Sequence, residues 1–301
     1  MRLRRCELST PGSNEKMMER AVSSKADVVF LDLEDAVAPN QKVEARAKVI
    51  KALKTLDWGK KTRAIRMNNI ETEYAYQDVI DIVEQAGEFL DVIIIPKVKA
   101  GRDVFWVDTL LTQIEKRLRR DRRIALECLI EEVEALINVE EIARASSRLE
   151  AIIFGPGDFS ASQGVRMGRT IGGTVTTYPG DIWHYARSKI VVAARAAGID
   201  AIDGPYADFR NPDGYREEAL RSATMGFVGK WAIHPSQIDL ANELYSPSQE
   251  EVDRARQLET AYANAEAEGL GAVTFDGVMI DAASVRVIRN VIEKANLIDA
   301  G

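Results

Sequence analysis

The sequence predicts a (β/α)8 TIM barrel with a C-terminal helical appendage, on three observations. A unit recurs: a short apolar run, a polar or charged residue at its end, then a stretch with helical periodicity. Eight such units occur, ending near positions 10, 35, 66, 97, 131, 158, 203 and 234, with steps of 25, 31, 31, 34, 27, 45 and 31. A strand-helix-strand unit takes roughly 30 residues, so eight of them fill a closed barrel. Finally, no G-x-G-x-x-G follows the first apolar run, which counts against the competing open, doubly wound sheet.

The apolar runs are read in order. Cys6-Glu7-Leu8-Ser9 ends at Thr10-Pro11-Gly12, and Val28 to Leu33 ends at Glu34-Asp35. Arg63-Ala64-Ile65 ends at Arg66-Met67-Asn68, and Val92 to Ile95 ends at Pro96-Lys97. Ile124 to Ile130 ends at Glu131, and Ala151 to Phe154 ends at Gly155-Pro156-Gly157-Asp158. Ile199 to Ile202 ends at Asp203-Gly204-Pro205, and Lys230 to Ile233 ends at His234-Pro235. Between them, Asn40 to Leu56, Ala75 to Ala86, Val104 to Arg120, Ala135 to Ser146 and Asp213 to Met225 carry apolar residues at three-and-four spacing and read as helices.

The barrel is expected to occupy residues 1–245. Residues 246–301 exceed what a barrel needs and read as a long helix over Ser248 to Glu268, a strand-like piece from Thr274 to Ile280 around Asp276-Gly277, and a last helix over Val285 to Leu297. The longest step holds an extra loop, Gly164 to Trp183, whose Gly172-Gly173 and Gly180 offer bending points; it is expected to be more mobile than the barrel.

With 40 Lys and Arg against 47 Asp and Glu, the net charge is -7 and the pI near 5.2. An acidic chain lacks the footprint of a general nucleic-acid binder and the polybasic segment that holds a protein on an anionic membrane. No apolar run approaches the roughly 20 residues that span a bilayer. The basic start Met1 to Arg5 is not followed by the apolar core of a signal peptide. Two widely separated cysteines, Cys6 and Cys128, suit a reducing, cytoplasmic setting. Two histidines are too few for a His-rich zinc site.

In a barrel the C-terminal strand ends converge on one mouth. Glu34, Asp35, Glu131, Asp158 and Asp203 would meet there, against Arg66, Lys97 and His234. Several carboxylates around one cavity repel unless a cation sits among them. Oxygen-only ligation points to Mg2+, with Mn2+ as the alternative. The competing reading is a closed ion-pair network of these acids with Arg66 and Lys97. The turn around Gly157 either exposes N–H groups to an anion or is a plain strand-to-helix turn. Thr10 to Asn14 could cap a helix at Ser13 or take a phosphate. His234 is read as an acid-base group or a ligand-positioning one. Asp281, before Ala282-Ala283-Ser284, reads by itself as a helix N-cap.

Taken together, Leu31 to Pro39, Ile65 to Asn68, Ile95 to Val98, Leu129 to Glu132, Phe154 to Ser162 and Gly229 to Gln237 resemble, in that order, the CitE-like branch of the HpcH/HpaI aldolase superfamily. The resemblance runs from Arg5 to Leu297. Asp203 to Phe209, Trp183-His184 and Met279 to Ser284 make it most similar to the malyl-CoA / β-methylmalyl-CoA lyases.

That resemblance implies Mg2+-dependent, reversible cleavage of (S)-malyl-CoA to acetyl-CoA and glyoxylate, and of β-methylmalyl-CoA to propionyl-CoA and glyoxylate. By matching position, Glu131 and Asp158 are expected to be the metal ligands and Arg66 to hold the glyoxylate or thioester oxygen. The backbone of Gly157 and Asp158 is expected to bind the glyoxylate carboxylate. Ser9, Asn14, Arg20, Ile233 and His234 are expected to line the CoA site. Some relatives carry an aromatic residue at Ser9 and an Arg at Asn14, and Arg20 replaces a Lys. Asp281 is expected to be the catalytic acid-base, delivered by a neighbouring subunit, which implies a homo-oligomer, a trimer or hexamer. The rivals of the same fold are a citramalyl-CoA lyase, a malyl-CoA thioesterase and a citrate lyase β-subunit-like enzyme acting on a carrier protein. The basic run Arg117 to Arg123 precedes a strand and so lies at the end away from the mouth. A non-catalytic binding protein would be expected to lose Glu131, Asp158 or Arg66, and all three are present.

Overall fold

A computed structural model describes residues 2–165 and 180–300. Eight parallel strands close into a barrel in chain order: β1 (Cys6–Pro11), β2 (Val28–Asp32), β3 (Thr62–Arg66), β4 (Val92–Ile95), β5 (Ala125–Ile130), β6 (Leu149–Phe154), β7 (Asp200–Asp203) and β8 (Gly229–Ala232). β8 pairs back onto β1, with Cys6 beside Lys230 and Leu8 beside Ala232, and no strand edge is left open. Each strand ends within a few residues of its expected position. β2, β4, β5, β7 and β8 are buried throughout, as strands covered by helices outside and packed side chains inside must be.

The helices are α1 (Glu15–Val22), α2 (Lys42–Thr55), α3 (Ala75–Ala86), α4 (Gly101–Leu118), α5 (Val133–Ile137), α6 (Val139–Ile142), α7 (Pro156–Gln163), α8 (His184–Ala197), α9 (Pro212–Met225) and α10 (Ile238–Leu244). Two local readings are corrected. The helix expected over Ala135 to Ser146 breaks at Asn138, whose side-chain amide donates to the Lys99 carbonyl at 2.9 Å and ties the break to the segment after β4. The cap of α1 is Asn14 rather than Ser13: its side chain accepts from the Met17 N–H at 3.1 Å. Most of the loop Gly164 to Trp183, and with it the expected mobility, lies outside the described residues.

Alternate residues of each strand point inward. Val28, Phe30, Ala64, Val92, Ile94, Ala125, Leu129, Ala151, Ile153, Ile202 and Trp231 form one apolar cluster. The same parity carries Asp32, Arg66 and Glu131 to the C-terminal mouth. Toward the opposite end sits a buried charge cluster: Arg4 donates to Glu127 at 2.9 Å and to Asp200 at 3.1 Å, and Glu7 accepts from the Trp231 indole at 2.8 Å.

The chain divides into two compact units, Arg4–Ala241 and a smaller one built on Asn242–Gly301. In the smaller unit α11 (Gln249–Ala267) packs with α12 (Ala282–Ala300), and β9 (Ala272–Phe275) pairs antiparallel with β10 (Val278–Asp281) across the turn Asp276-Gly277. No helix among the described residues is long and apolar enough to cross a membrane.

Candidate active site

Neighbouring strand ends supply the mouth. Asp32 closes β2 directly beside Arg66 at the end of β3. Its carboxylate takes the guanidinium in a fork, Nε to Oδ1 at 2.8 Å and Nη2 to Oδ2 at 2.6 Å. Asp32 also accepts the N–H groups of Glu34 and Ala36, and so shapes the loop that carries Glu34 and Asp35. Arg66 Nη1 lies 3.0 Å from Glu34 Oε2 without hydrogen-bond alignment, and 3.5 Å from Asp35. The guanidinium carbon sits 5.6 Å from the Trp231 ring centre. Burial alone would lower the pKa of Arg66, but Asp32, Glu34 and Glu131 outweigh it and hold the charge firmly. Lys42 fixes the same loop from behind, donating to the carbonyls of Leu33 at 2.8 Å and Glu34 at 2.6 Å.

Lys97 adopts a left-handed backbone, φ 51°, unusual for a residue with a Cβ. That conformation turns its N–H onto Glu131 Oε1 at 2.8 Å, while its ammonium bonds Glu34 and, at 3.2 Å, Asp35. Burial pushes the Glu34 carboxyl up against the pull of Arg66 and Lys97. For Asp35, where burial also acts upward, the two cations prevail and its pKa falls.

The mouth acids therefore divide. Asp32, Glu34 and Asp35 form an ion-pair network with Arg66 and Lys97, while no ion pair joins Glu131 or Asp158 to a cation among the described residues. Glu131 is 2% exposed, and its carboxyl is pushed up to about 8 by burial first, then by the charges of Glu34 and Asp158, with Arg66 and the Lys97 N–H opposing. Ile130 and Phe154 are register partners, and the Gly155 N–H closes the next rung on the Ile130 carbonyl at 3.1 Å. Gly155 is required there: a Cβ would stand 2.7 Å from Glu131 Oε2. Asp158 follows in the first turn of α7, and a Cβ on Gly157 would meet nothing within 4 Å.

A hard divalent cation fits this pair. It would offset the mutual repulsion of two acids that Arg66 and the Lys97 N–H oppose only in part, and both donors are oxygen. Among the described residues no three Asp, Glu, His or Cys side chains gather as a complete metal cage. Two carboxylates suit Mg2+, which keeps several sites for water or substrate oxygens.

The remaining expected residues scatter more widely. Asp203, expected at the mouth, is instead buried in an ion pair with Arg187 at 3.0 Å and Lys230 at 2.7 Å. Ser9 lies in β1 near its C-terminal end, and Asn14 is spent capping α1. Arg20 is six residues further, about 9 Å along the axis of α1 and away from the strand ends. Ile233 is exposed after β8. His234 Nδ1 accepts from the Ser236 N–H at 3.2 Å and lies 2.8 Å from the Ser236 hydroxyl. That ring stacks on Phe209 at 4.5 Å. Asp281 ends β10 in the smaller unit; its Oδ1 accepts from both the N–H and the hydroxyl of Ser284, at 2.8 and 2.9 Å, which lowers its pKa.

Sequence reasoning passed over Asp32, Lys42 and Trp231. For Asp32 a signal existed: it continues the inward parity of Val28 and Phe30.

Comparison with known proteins agrees with this geometry. The family model HpcH/HpaI aldolase/citrate lyase matches residues 5–235. The chain is 45% identical to the L-malyl-CoA/β-methylmalyl-CoA lyases of Cereibacter sphaeroides and Rhodobacter capsulatus, covering 98% of this chain and 96% of each relative. It is 33% identical to the mitochondrial citramalyl-CoA lyase of Rattus norvegicus, over 98% of this chain and 87% of that one. Among solved structures, CitE from Mycobacterium tuberculosis in complex with magnesium, acetoacetate and coenzyme A superposes with a TM-score of 0.76 at 27% identity, covering 97% of both chains. With a family match over most of its length and relatives at 45% identity, the chain belongs to the HpcH/HpaI aldolase/citrate lyase family.

Proposed function

We propose that this chain is a Mg2+-dependent carbon–carbon lyase, reversibly cleaving (S)-malyl-CoA to acetyl-CoA and glyoxylate and β-methylmalyl-CoA to propionyl-CoA and glyoxylate. One observation carries the reading: two carboxylates without an ion-pair partner among the described residues, Glu131 and Asp158, share a barrel mouth with the oriented guanidinium of Arg66. The names of the relatives at 45% identity support the substrate class. The magnesium in the related CitE complex supports the ion.

In the cleavage direction, the hydroxyl oxygen becomes the aldehyde oxygen of glyoxylate and loses its proton. The electron pair of the broken C–C bond passes to the thioester as an enolate, whose α-carbon then takes a proton. Glu131 and Asp158 would hold the metal, which when bound supplies Lewis-acid polarisation of the glyoxylate-end oxygens. The N–H groups of Gly157 and Asp158, at the start of α7, would receive the glyoxylate carboxylate. Arg66 would offset the negative charge that grows on the thioester oxygen. Its fork to Asp32 and its contact with Trp231 hold it ready without reorganisation.

Asp281 would move the proton at the thioester α-carbon. Its lowered pKa keeps it a carboxylate at neutral pH, the form that accepts a proton in the condensation direction. We assign it to the mouth of a neighbouring copy, in a homo-oligomer built as a trimer or hexamer. Ser9, Asn14, Arg20, Ile233 and His234 are assigned to the CoA moiety. The experiment is an assay of purified protein with Mg2+ and a panel of malyl-, β-methylmalyl- and citramalyl-CoA. Glyoxylate from the first two is the expected result. Cleavage of citramalyl-CoA alone, giving pyruvate, would assign the chain to the other named activity instead.

A further inference from the structure

The turn that carries Asp158 is tied down at two further points. Ser162, in the last turn of α7, accepts the N–H of Val133 through its Oγ at 3.0 Å. Val133 opens α5 only two residues beyond Glu131, so this bond links the helix of Asp158 to the segment of Glu131. Two residues earlier, the Ser160 hydroxyl donates to the Pro156 carbonyl at 2.6 Å and accepts the Trp183 indole N–H at 3.0 Å. Pro156 and Ser160 bracket Asp158 within a single turn. The hydroxyl thus both donates and accepts, with its rotation fixed by partners on both sides.

Trp183 is itself held. Its ring meets Phe154, the last residue of β6, edge-on at 6.4 Å, and the buried Arg187 guanidinium lies 5.4 Å from the ring centres of both. Arg187 is fixed in turn by Asp203 at 3.0 Å and Asp181 at 2.7 Å. Glu131 follows β5 and Asp158 lies in the first turn of α7, and the rung nearest to them is Gly155 N–H to the Ile130 carbonyl. A two-carboxylate site has no third protein ligand to define its shape, so its geometry must come from outside the ligands.

Building on the metal reading above, we propose that Ser162, Ser160 and Trp183 are positioning residues for the divalent cation. Ser162 sets the helix of Asp158 against the segment of Glu131, and the Trp183–Ser160 bond fixes the turn between Pro156 and Ser160. Together they hold the two carboxylates at the separation that one ion requires.

The test is Mg2+ titration of the metal-free full chain by calorimetry, comparing wild type, Ser162→Ala, Ser162→Thr, Trp183→Phe and Glu131→Gln, with melting temperatures taken without metal. Ser162→Ala removes one hydrogen bond and keeps the packing, whereas Trp183→Phe removes the indole N–H and also shrinks the ring that meets Phe154 and Arg187. Each is expected to weaken Mg2+ binding about 10-fold. Ser162→Thr, which restores the hydroxyl, should return the affinity to near wild type. In turnover, the Mg2+ concentration for half-maximal rate should rise while kcat at saturating Mg2+ stays close to wild type. If both variants lower the melting temperature but bind Mg2+ as tightly as wild type, while Glu131→Gln binds none, the residues are merely structural and the proposal fails. If wild type itself binds no Mg2+, the metal reading fails and the proposal with it.

Discussion

Arg66 and Asp32 are register partners at the ends of adjacent strands, joined by a two-point ion pair of 2.8 and 2.6 Å. The fork fixes the guanidinium plane and leaves Nη1 on the side of Glu34. A lysine carries the charge but has no fork, so Arg66→Lys should lower kcat/KM about 100-fold in a chain whose circular dichroism is unchanged. Asp32→Asn leaves a buried arginine short of its main partner and should cost about 3 kcal/mol in urea unfolding. Wild-type kinetics in Arg66→Lys would remove Arg66 from the reaction.

The Glu131 carboxyl stands at about 8 in the metal-free fold against an ordinary value of 4.5. A raised acid contributes stability that is fully present below pH 4.5 and is gone once the pH has passed about 8. The loss is on the order of 5 kcal/mol for a shift of this size. Metal-free wild type should therefore lose melting temperature between pH 5 and 9 more steeply than Glu131→Gln, and saturating Mg2+ should remove most of that difference. Parallel pH curves for the two metal-free proteins would show that Glu131 is not under this strain.

Gly155 tests the cradle under Glu131. In Gly155→Ala the new methyl meets Glu131 Cβ at 2.6 Å and Oε2 at 2.7 Å, so the carboxylate must move. Mg2+ affinity should fall about 10-fold or more. Gly157→Ala, whose methyl faces open space, should leave Mg2+ affinity unchanged. Equal Mg2+ affinity in Gly155→Ala and wild type would mean that Glu131 is not a ligand.

Asp281 is the residue whose chemistry and local structure pull apart. The Ser284 bonds make it a helix-capping carboxylate by geometry, and capping does not prevent proton transfer by the other oxygen. Asp281→Asn and Asp158→Asn should each be inactive alone. Mixed under conditions of subunit exchange, they should recover part of the activity, because some sites then combine an intact Asp281 with an intact Asp158. Exchanged hybrids with no activity would confine Asp281 to its own chain or exclude it.

The barrel was legible because strands covered on both faces are mostly apolar, so the charged residue that follows each apolar run marks the mouth, although β1, β5 and β8 also bury Glu7, Glu127 and Lys230 within them. Arg66 and Glu131 were found this way. Asp203 looked identical by that rule, yet it is neutralised by Arg187 and Lys230, partners 16 and 27 residues away that no local pattern connects to it. Arg4 was misleading in the opposite sense. It reads as part of a basic N-terminus and is in fact a fully buried hub for Glu127 and Asp200, more than 120 residues downstream. The break at Asn138 escaped the periodicity because Val133 to Ile142 keeps helical spacing across it, and the Asn138 side chain there bonds the distant Lys99 carbonyl. Ion-pair partners and side-chain-to-backbone bonds are tertiary facts, and they determine which mouth acids remain for a metal.

The most direct measurement gives (S)-malyl-CoA to chelator-treated wild-type protein with and without added Mg2+, following glyoxylate and acetyl-CoA together. The predicted result is release of both in equal amounts only when Mg2+ is present, and none from Glu131→Gln at any Mg2+ concentration. Full-rate cleavage with the chelator still present, or no glyoxylate at saturating Mg2+, would contradict the assignment of this barrel mouth as a metal-dependent lyase site.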